Sequence, residues 1–122
     1  MIGYTTVGTN DLKKAADFYD ALFKELGAKR TMEFETYIAW GVSEDQPMFS
    51  VTKPFNQEAA TVGNGTMIGL AAKDKEQVDR VYAKAISLGA ADEGPAGPRG
   101  EGFYAGYFRD LDGNKLNVFC LG

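Results

Sequence analysis

The sequence lacks histidine entirely and contains one cysteine, Cys120, among its 122 residues. Without histidine, the Ser-His and Cys-His forms of nucleophilic catalysis are excluded, and so is any metal site that depends on imidazole. A single cysteine excludes an internal disulfide and is typical of proteins in a reducing compartment. We therefore expect a cytoplasmic protein whose chemistry, if it has any, depends on carboxylate, lysine or tyrosine side chains.

Long apolar runs and concentrated positive charge are missing as well. No run approaches the roughly 20 apolar residues that span a bilayer, and no basic segment followed by an apolar one marks a secretory signal at the N-terminus. The 13 basic residues are scattered, and the net charge is −4. We therefore expect neither a membrane nor a nucleic-acid partner. A chain of 122 residues with 44% hydrophobic content is typical of a single globular domain.

What the sequence does contain is one order of elements that occurs twice. The first copy begins with a strand at residues 2–9. Asn10 or Asp11 then caps an amphipathic helix, and Gly27 ends it. Three further strands follow this helix, at about residues 29–35, 37–42 and 48–53. The predicted order is βαβββ.

The second copy repeats this order from residue 67 onward. A strand at residues 67–72 precedes a helix that Asp74 and Gln77 cap and Gly89 ends. Its remaining strands are expected near residues 91–93, 103–109 and 115–120. Only two copies occur, so the repeat predicts a pseudo-twofold structure rather than a solenoid.

The fold class predicted from this pattern is α+β, with two tandem βαβββ modules. Module one is residues 1–53, module two is residues 66–122, and residues 54–65 form the linker. In each module, one helix covers one face of a mixed sheet and leaves the other face uncovered. We expect two curved sheets of this kind to form a cleft.

The last strand pair carries a more specific pattern, Arg-Asp-Leu-Asp-Gly-Asn-Lys-Leu-Asn-Val-Phe-Cys at residues 109–120. This hairpin resembles the closing hairpin of the vicinal oxygen chelate superfamily, which includes glyoxalase I, bleomycin-resistance proteins and extradiol dioxygenases. Together with the repeat, the resemblance covers essentially the whole chain. It implies that metal ligands, where members have them, lie on the first and last strand of each module. The corresponding residues here are Tyr4, Ser50, Met67 and Asn117.

These four side chains are poor ligands for a transition metal. They offer a phenol, a hydroxyl, a thioether and an amide, all neutral at pH 7, whereas such sites use imidazole, carboxylate or thiolate. In metal-dependent members a glutamate stands where this chain has Asn117. The resemblance therefore implies a member with no metal and no cofactor. Glu33 and Glu35 share a strand face and could supply carboxylates, but a solvated strand face is the favoured interpretation.

Strand alternation predicts which side chains face a ligand. In the last strand Leu116, Val118 and Cys120 form the apolar face under the helix, so Asn117 lies on the other face. We expect a ligand to contact Asn117, Met67 and the aromatic strand at Tyr104, with Arg99 near the cleft mouth. Tyr4 and Ser50, the equivalent positions of module one, belong to the same predicted ligand-binding set. The glycines and prolines of residues 94–102 exclude regular structure there. Arg99 is then either an anion-binding residue or a solvated loop charge.

Three functions remain compatible with the sequence. The first is a metal-free small-molecule binding protein, such as a sequestration or resistance factor. The second is a lyase, isomerase or dioxygenase of the same superfamily with a non-standard site, and the third is a structural or regulatory dimer with a vestigial cleft. A homodimer is expected in each case, with the clefts formed either within a chain or across the interface.

Overall fold

The computed structural model describes all 122 residues, which form two helices and eight strands. The first five elements are β1 (Tyr4–Gly8), α1 (Leu12–Lys24), β2 (Lys29–Glu33), β3 (Tyr37–Gly41) and β4 (Met48–Thr52). The other five are β5 (Ile68–Ala71), α2 (Lys75–Ser87), β6 (Ala91–Pro98), β7 (Phe103–Arg109) and β8 (Lys115–Leu121). Neither helix has the length and apolarity that crossing a bilayer requires.

The eight strands form two four-stranded sheets with the same topology. Their strand orders are β1-β4-β3-β2 and β5-β8-β7-β6. In each sheet the first and last strands of the module pair in parallel, and the other neighbours pair antiparallel. The prediction of an α+β fold with two tandem βαβββ modules and mixed sheets is confirmed. The chain divides into two compact units, Met1–Val62 and Gly63–Gly122.

Both helices begin and end where the capping pattern predicts. The side chains of Asp11 and Asp74 accept the backbone N–H three residues on, at 3.1 and 2.8 Å. Each aspartate thereby satisfies one of the unpaired donors of the first helical turn. Gly27 and Gly89 follow the last turns with φ of +73° and +103°, a backbone conformation that favours glycine.

The core of module one is a cluster of aromatic rings between α1 and its sheet. Tyr19 of the helix lies 5.6 Å from Trp40 and 4.8 Å from Phe49, measured between ring centroids. Phe23 lies 5.8 Å from Trp40 and 5.2 Å from Phe49. All four rings are buried, so this cluster anchors α1 on β3 and β4.

The core of module two is built from smaller side chains and one close backbone approach. Three buried residues of β8, Leu116, Val118 and Cys120, form the apolar face that alternation predicts beneath α2. Gly106 in β7 brings the sheet close to the helix, since a Cβ added there would lie 2.9 Å from Cδ1 of Tyr82. Any larger residue at this position would displace that ring.

The prediction that residues 94–102 have no regular structure is wrong for the part that belongs to β6. The glycines and prolines of residues 94–102 were expected to exclude regular structure, yet β6 extends as far as Pro98. It is an edge strand, so its prolines need not donate ladder hydrogen bonds. Its pairing with β7 shifts register between Asp92 and Gly94 and again between Gly94 and Gly97. Bulges of this kind let an irregular composition stay in a sheet.

Candidate functional site

In module one the predicted polar position is occupied by an internal hydrogen bond. Ser50 is fully buried in β4 and pairs in register with Thr6 of β1. Its hydroxyl donates to the backbone carbonyl of Thr5 at 2.6 Å and shares a 2.7 Å hydrogen bond with the Thr6 hydroxyl. Tyr4, by contrast, is 61% exposed. The hydrogen-bonding capacity of Ser50 is therefore used within the module.

The equivalent position in module two has no such partner. Asn117 of β8 is 3% exposed, and its Oδ1 is the one buried side-chain nitrogen or oxygen atom in the chain without a hydrogen bond. The residue in register with it on β5 is Gly69, the counterpart of Thr6. A Cβ added to Gly69 would lie 2.9 Å from Oδ1. Glycine thus leaves this oxygen without the hydroxyl that satisfies Ser50.

Aromatic rings share the sheet face on which Asn117 lies. Tyr107 of β7 pairs with Asn117 in register, so the two side chains are neighbours on the face that α2 does not cover. Phe119, two residues along β8, lies over Gly69, where an added Cβ would be 3.3 Å from its ring. Its ring stacks on Phe103 with centroids 5.6 Å apart. This face therefore surrounds a buried polar atom with flat apolar surface.

Two cationic side chains complete this face. The Arg99 guanidinium carbon lies 5.5 Å from the Tyr107 ring centroid, and Nζ of Lys115 lies 5.8 Å from it. Both separations are in the range of cation–π attraction. Arg99 was expected near a ligand, and the fold places it beside the residue that pairs with Asn117. Met67 precedes β5, is 42% exposed and shares the strand parity of Gly69.

Tyr104 lies on the opposite face from the one predicted. It pairs with Cys120, and its hydroxyl donates to Oδ1 of Asp79 in α2 at 2.6 Å. This hydrogen bond is the main cause of a raised pKa of the Tyr104 phenol. Side chains alternate along β7, so Tyr104 and Tyr107 lie on opposite faces of the sheet. The predicted contact of Tyr104 with a ligand beside Asn117 is therefore wrong, because Tyr104 lies on the face that α2 covers.

The sequence analysis did not assign Tyr107 to the site. The turn between β7 and β8 nevertheless indicates that it pairs with Asn117. Asp110 and Asn114 close the hairpin, which aligns Arg109 with Lys115. Counting back two residues along β7 and forward two along β8 pairs Tyr107 with Asn117. The register of a hairpin follows from its turn, so this pairing could have been counted from the sequence.

Comparisons with known proteins agree with this architecture. The family model described as Glyoxalase/Bleomycin resistance protein/Dioxygenase superfamily matches residues 1–118. The chain belongs to this superfamily. The resemblance that the closing hairpin and the repeat indicated is thereby confirmed. No curated protein matches the chain.

Several solved structures are similar to this superfamily member. A glyoxalase/bleomycin resistance protein from Albidiferax ferrireducens is 35% identical, with a TM-score of 0.92 over 100% of this chain and 99% of that one. A hypothetical protein from S. aureus is 25% identical, with a TM-score of 0.74 over 98% and 92% of the two chains. A lactoylglutathione lyase from Agrobacterium tumefaciens is 20% identical, with a TM-score of 0.72 over 98% and 92%, and this likeness shows the fold alone.

The metal that the superfamily implies does not fit the residues at its usual positions. Ser50 already bonds to Thr5 and Thr6, and Asn117 supplies only a neutral amide. No group of three or more His, Cys, Asp or Glu side chains is placed to hold an ion. Dehydrating a divalent cation requires anionic or imidazole ligands, and this set has neither.

One pocket lies away from all six predicted site residues. Its volume is about 770 Å³. It is lined by β-strand ends and the segment that follows β4: Thr9, Asn10, Thr36, Thr52, Lys53, Pro54, Phe55, Gln57, Glu58 and Ala59. It contains no buried polar atom that lacks a partner, because Asn117 Oδ1 is the one such atom. Size alone therefore does not make it the better candidate site.

Proposed function

We propose that this superfamily member is a metal-free small-molecule binding protein whose ligand contacts Asn117 on the sheet face of module two that lies opposite α2. The observation that carries the proposal is the buried, unpaired Oδ1 of Asn117. Leaving a buried acceptor unpaired costs about 1–3 kcal/mol in stability. A ligand that donates a hydrogen bond to this oxygen offsets that cost, so the unpaired oxygen supports a binding role for Asn117.

The surroundings of Asn117 suit a flat ligand with a polar edge. Tyr107 and Phe119 supply aromatic surface next to the amide. The exposed thioether of Met67 adds a flexible apolar contact. The carboxamide turns about its terminal side-chain bond, so its oxygen can meet an O–H or N–H donor.

The enzymatic and the structural alternatives rest on the superfamily fold alone, and fold does not determine function. The similarity to a lactoylglutathione lyase is a similarity of fold, at 20% identity. Of the three functions, ligand binding is the one that a specific atom of this chain supports, the unpaired Oδ1 of Asn117.

Asn117→Leu tests the proposal because leucine keeps the shape of the side chain and removes its polar atoms. We expect 4-hydroxybenzamide, a flat neutral donor, to bind the wild-type protein in an NMR titration. The variant should bind it about 5- to 150-fold more weakly, the equivalent of about 1–3 kcal/mol. Its melting temperature should be unchanged or higher, since no unpaired acceptor remains.

Ser50→Ala is the matched control, because it alters the equivalent position of module one. It removes a hydrogen bond that is satisfied internally, so it should lower the melting temperature and leave the affinity unchanged. If Asn117→Leu instead lowered the melting temperature and kept the wild-type affinity, Asn117 would be a structural residue and the proposal would fail.

Metal content provides a second test. We expect protein purified without a histidine tag and dialysed against buffer to contain no stoichiometric zinc, nickel, manganese or iron by elemental analysis. The reason is the neutral set Tyr4, Ser50, Met67 and Asn117 in a chain without histidine. One equivalent of any of these metals per chain after dialysis would overturn the metal-free proposal.

We also propose that the protein is a homodimer. The support is exposed apolar surface on strands and their flanks, including Tyr4, Met32 and Met67, which are 61%, 40% and 42% exposed. Twofold dimers are the commonest closed assembly. Light scattering at micromolar concentration and physiological salt should give twice the chain mass, and the mass of one chain would contradict this.

A further inference from the structure

The face that contains Asn117 also contains a positive charge that no carboxylate of the chain neutralises. Arg99 and Lys115 both lie within 6 Å of the Tyr107 ring centroid, and neither forms a salt bridge. The nearby Glu93 pairs with Arg109 instead, at 3.4 Å. Two unneutralised cations beside a buried acceptor favour an anionic partner.

The backbone of β6 is shaped around the Arg99 head group. A Cβ added to Gly94 would lie 3.2 Å from Nη2, and one added to Gly97 would lie 3.3 Å from Nη1. Nη1 donates to the carbonyl of Pro98 at 3.2 Å, and Nη2 donates to that of Pro95. The guanidinium is therefore held over Tyr107 by glycine spacing and by two carbonyls. It is a positioned group rather than a freely moving loop charge.

Arg99 still has donors to offer after these contacts. A guanidinium has five N–H donors in a planar fork, and two carbonyl contacts leave the others for a ligand. The planar fork matches the two oxygens of a carboxylate, and the Lys115 ammonium supplies a second point charge. The arrangement suits a carboxylate better than a neutral polar group.

Strand geometry gives the distance between the two cations, Arg99 and Lys115, and the amide of Asn117. Tyr107, which lies under the cations, and Asn117 are directly paired, so their Cα atoms are about 5 Å apart. Lys115 is two residues from Asn117 along β8, which is about 7 Å. A ligand that binds both the cations and the amide therefore needs its acid group and its hydrogen-bond donor about 5–7 Å apart.

Resting on the proposed function above, we propose that the ligand is a small organic acid that also has an O–H or N–H donor. Its carboxylate binds Arg99 and Lys115, its donor binds Oδ1 of Asn117, and a flat body lies against Tyr107 and Phe119. Recognition thus has two separable parts, one dependent on charge and one on the amide.

Three probes separate these parts by NMR titration up to about 10 mM, a range that reveals even millimolar binding. The probe 4-hydroxybenzoate has both groups, benzoate lacks the donor, and 4-hydroxybenzamide lacks the charge. We expect 4-hydroxybenzoate to bind most tightly. Arg99→Gln and Lys115→Gln should each weaken its binding about tenfold or more, and leave the binding of 4-hydroxybenzamide nearly unchanged. Added salt should weaken the binding of the two carboxylates, 4-hydroxybenzoate and benzoate, and leave that of 4-hydroxybenzamide unchanged.

The control is Lys14→Gln, which removes one positive charge from the exposed surface of α1 and should change nothing. If 4-hydroxybenzoate and 4-hydroxybenzamide bound equally and neither Arg99→Gln nor Lys115→Gln weakened the acid, the anionic class would be refuted and Asn117 binding would stand. If none of the three probes bound the wild-type protein, both proposals would be refuted. Dispersed amide spectra of each variant exclude misfolding as the cause of lost binding.

Discussion

Asp110→Ala is expected to lower the free energy of unfolding by about 3 kcal/mol, because three hydrogen-bond donors lose a charged acceptor. Asp110 is 6% exposed at the turn between β7 and β8. Its Oδ1 accepts the backbone N–H of Asp112 and that of Asn114, each at 2.9 Å. Its Oδ2 accepts the Asn114 side-chain amide at 3.0 Å. The turn sets the register of the strands that contain Tyr107 and Asn117.

Urea denaturation of Asp110→Ala and Asp110→Asn measures this effect. The asparagine variant keeps the shape but places an N–H group near the Asn114 amide, so its loss should be smaller than that of alanine. Glu101→Ala is the control, because it removes an exposed carboxylate from the preceding hairpin and should change the stability by less than about 0.5 kcal/mol. An alanine variant as stable as this control would show that the turn is held by its backbone alone.

Asp20→Ala is expected to lower the free energy of unfolding by about 2 kcal/mol, since it leaves a buried indole N–H without an acceptor. Trp40 is 1% exposed, and its Nε1 donates to Oδ1 of Asp20 at 2.9 Å. Arg30 also donates to this carboxylate, through Nε at 2.9 Å and Nη2 at 2.7 Å. Asp20 thus connects α1, β2 and β3 in one network, which urea denaturation of the variant would test.

The same carboxylate should make stability depend on acid pH. Hydrogen bonding to Arg30, followed by that to Trp40, lowers the pKa of Asp20 from its usual 3.8. The unfolded chain therefore binds this proton at a higher pH than the folded chain does. The contribution is complete above about pH 4 and is lost as the pH falls through the lowered pKa.

Thermal unfolding of wild type and Asp20→Asn between pH 2 and pH 6 tests whether the stabilising contribution of Asp20 is lost as the pH falls. The difference in melting temperature between them should shrink as the pH falls. Asp17→Asn is the control on the same helix, since Asp17 is 64% exposed and its ion pair with Lys13 is a surface contact. A difference that stayed constant across this range would contradict the role given to Asp20.

Local patterns in the sequence were sufficient for the element order because their causes are local. Caps at Asp11 and Asp74 and stops at Gly27 and Gly89 depend on a few neighbouring residues, so they could be recognised without the fold. The start of β6 was predicted near residues 91–93, but its extension to Pro98 was not, because that pairing depends on the edge position of the strand, which is a property of the whole sheet. Tyr104 was assigned to the wrong face because the hairpin register was not counted from its turn.

The sequence by itself determined the βαβββ repeat, the superfamily and the absence of strong metal ligands at the expected positions. Hydrophobic periodicity and capping indicate the repeat, and the resemblance of the closing hairpin indicates the superfamily and the positions where metal ligands are expected. Residue chemistry then shows that strong ligands are missing there, and none of this needs contacts between distant residues. The tertiary structure decided that Asn117 faces Gly69, whereas Ser50 faces the Thr6 hydroxyl. It also placed Arg99 over Tyr107. These relations depend on strand register, which brings together residues far apart in the sequence, and they are the features that support a ligand site.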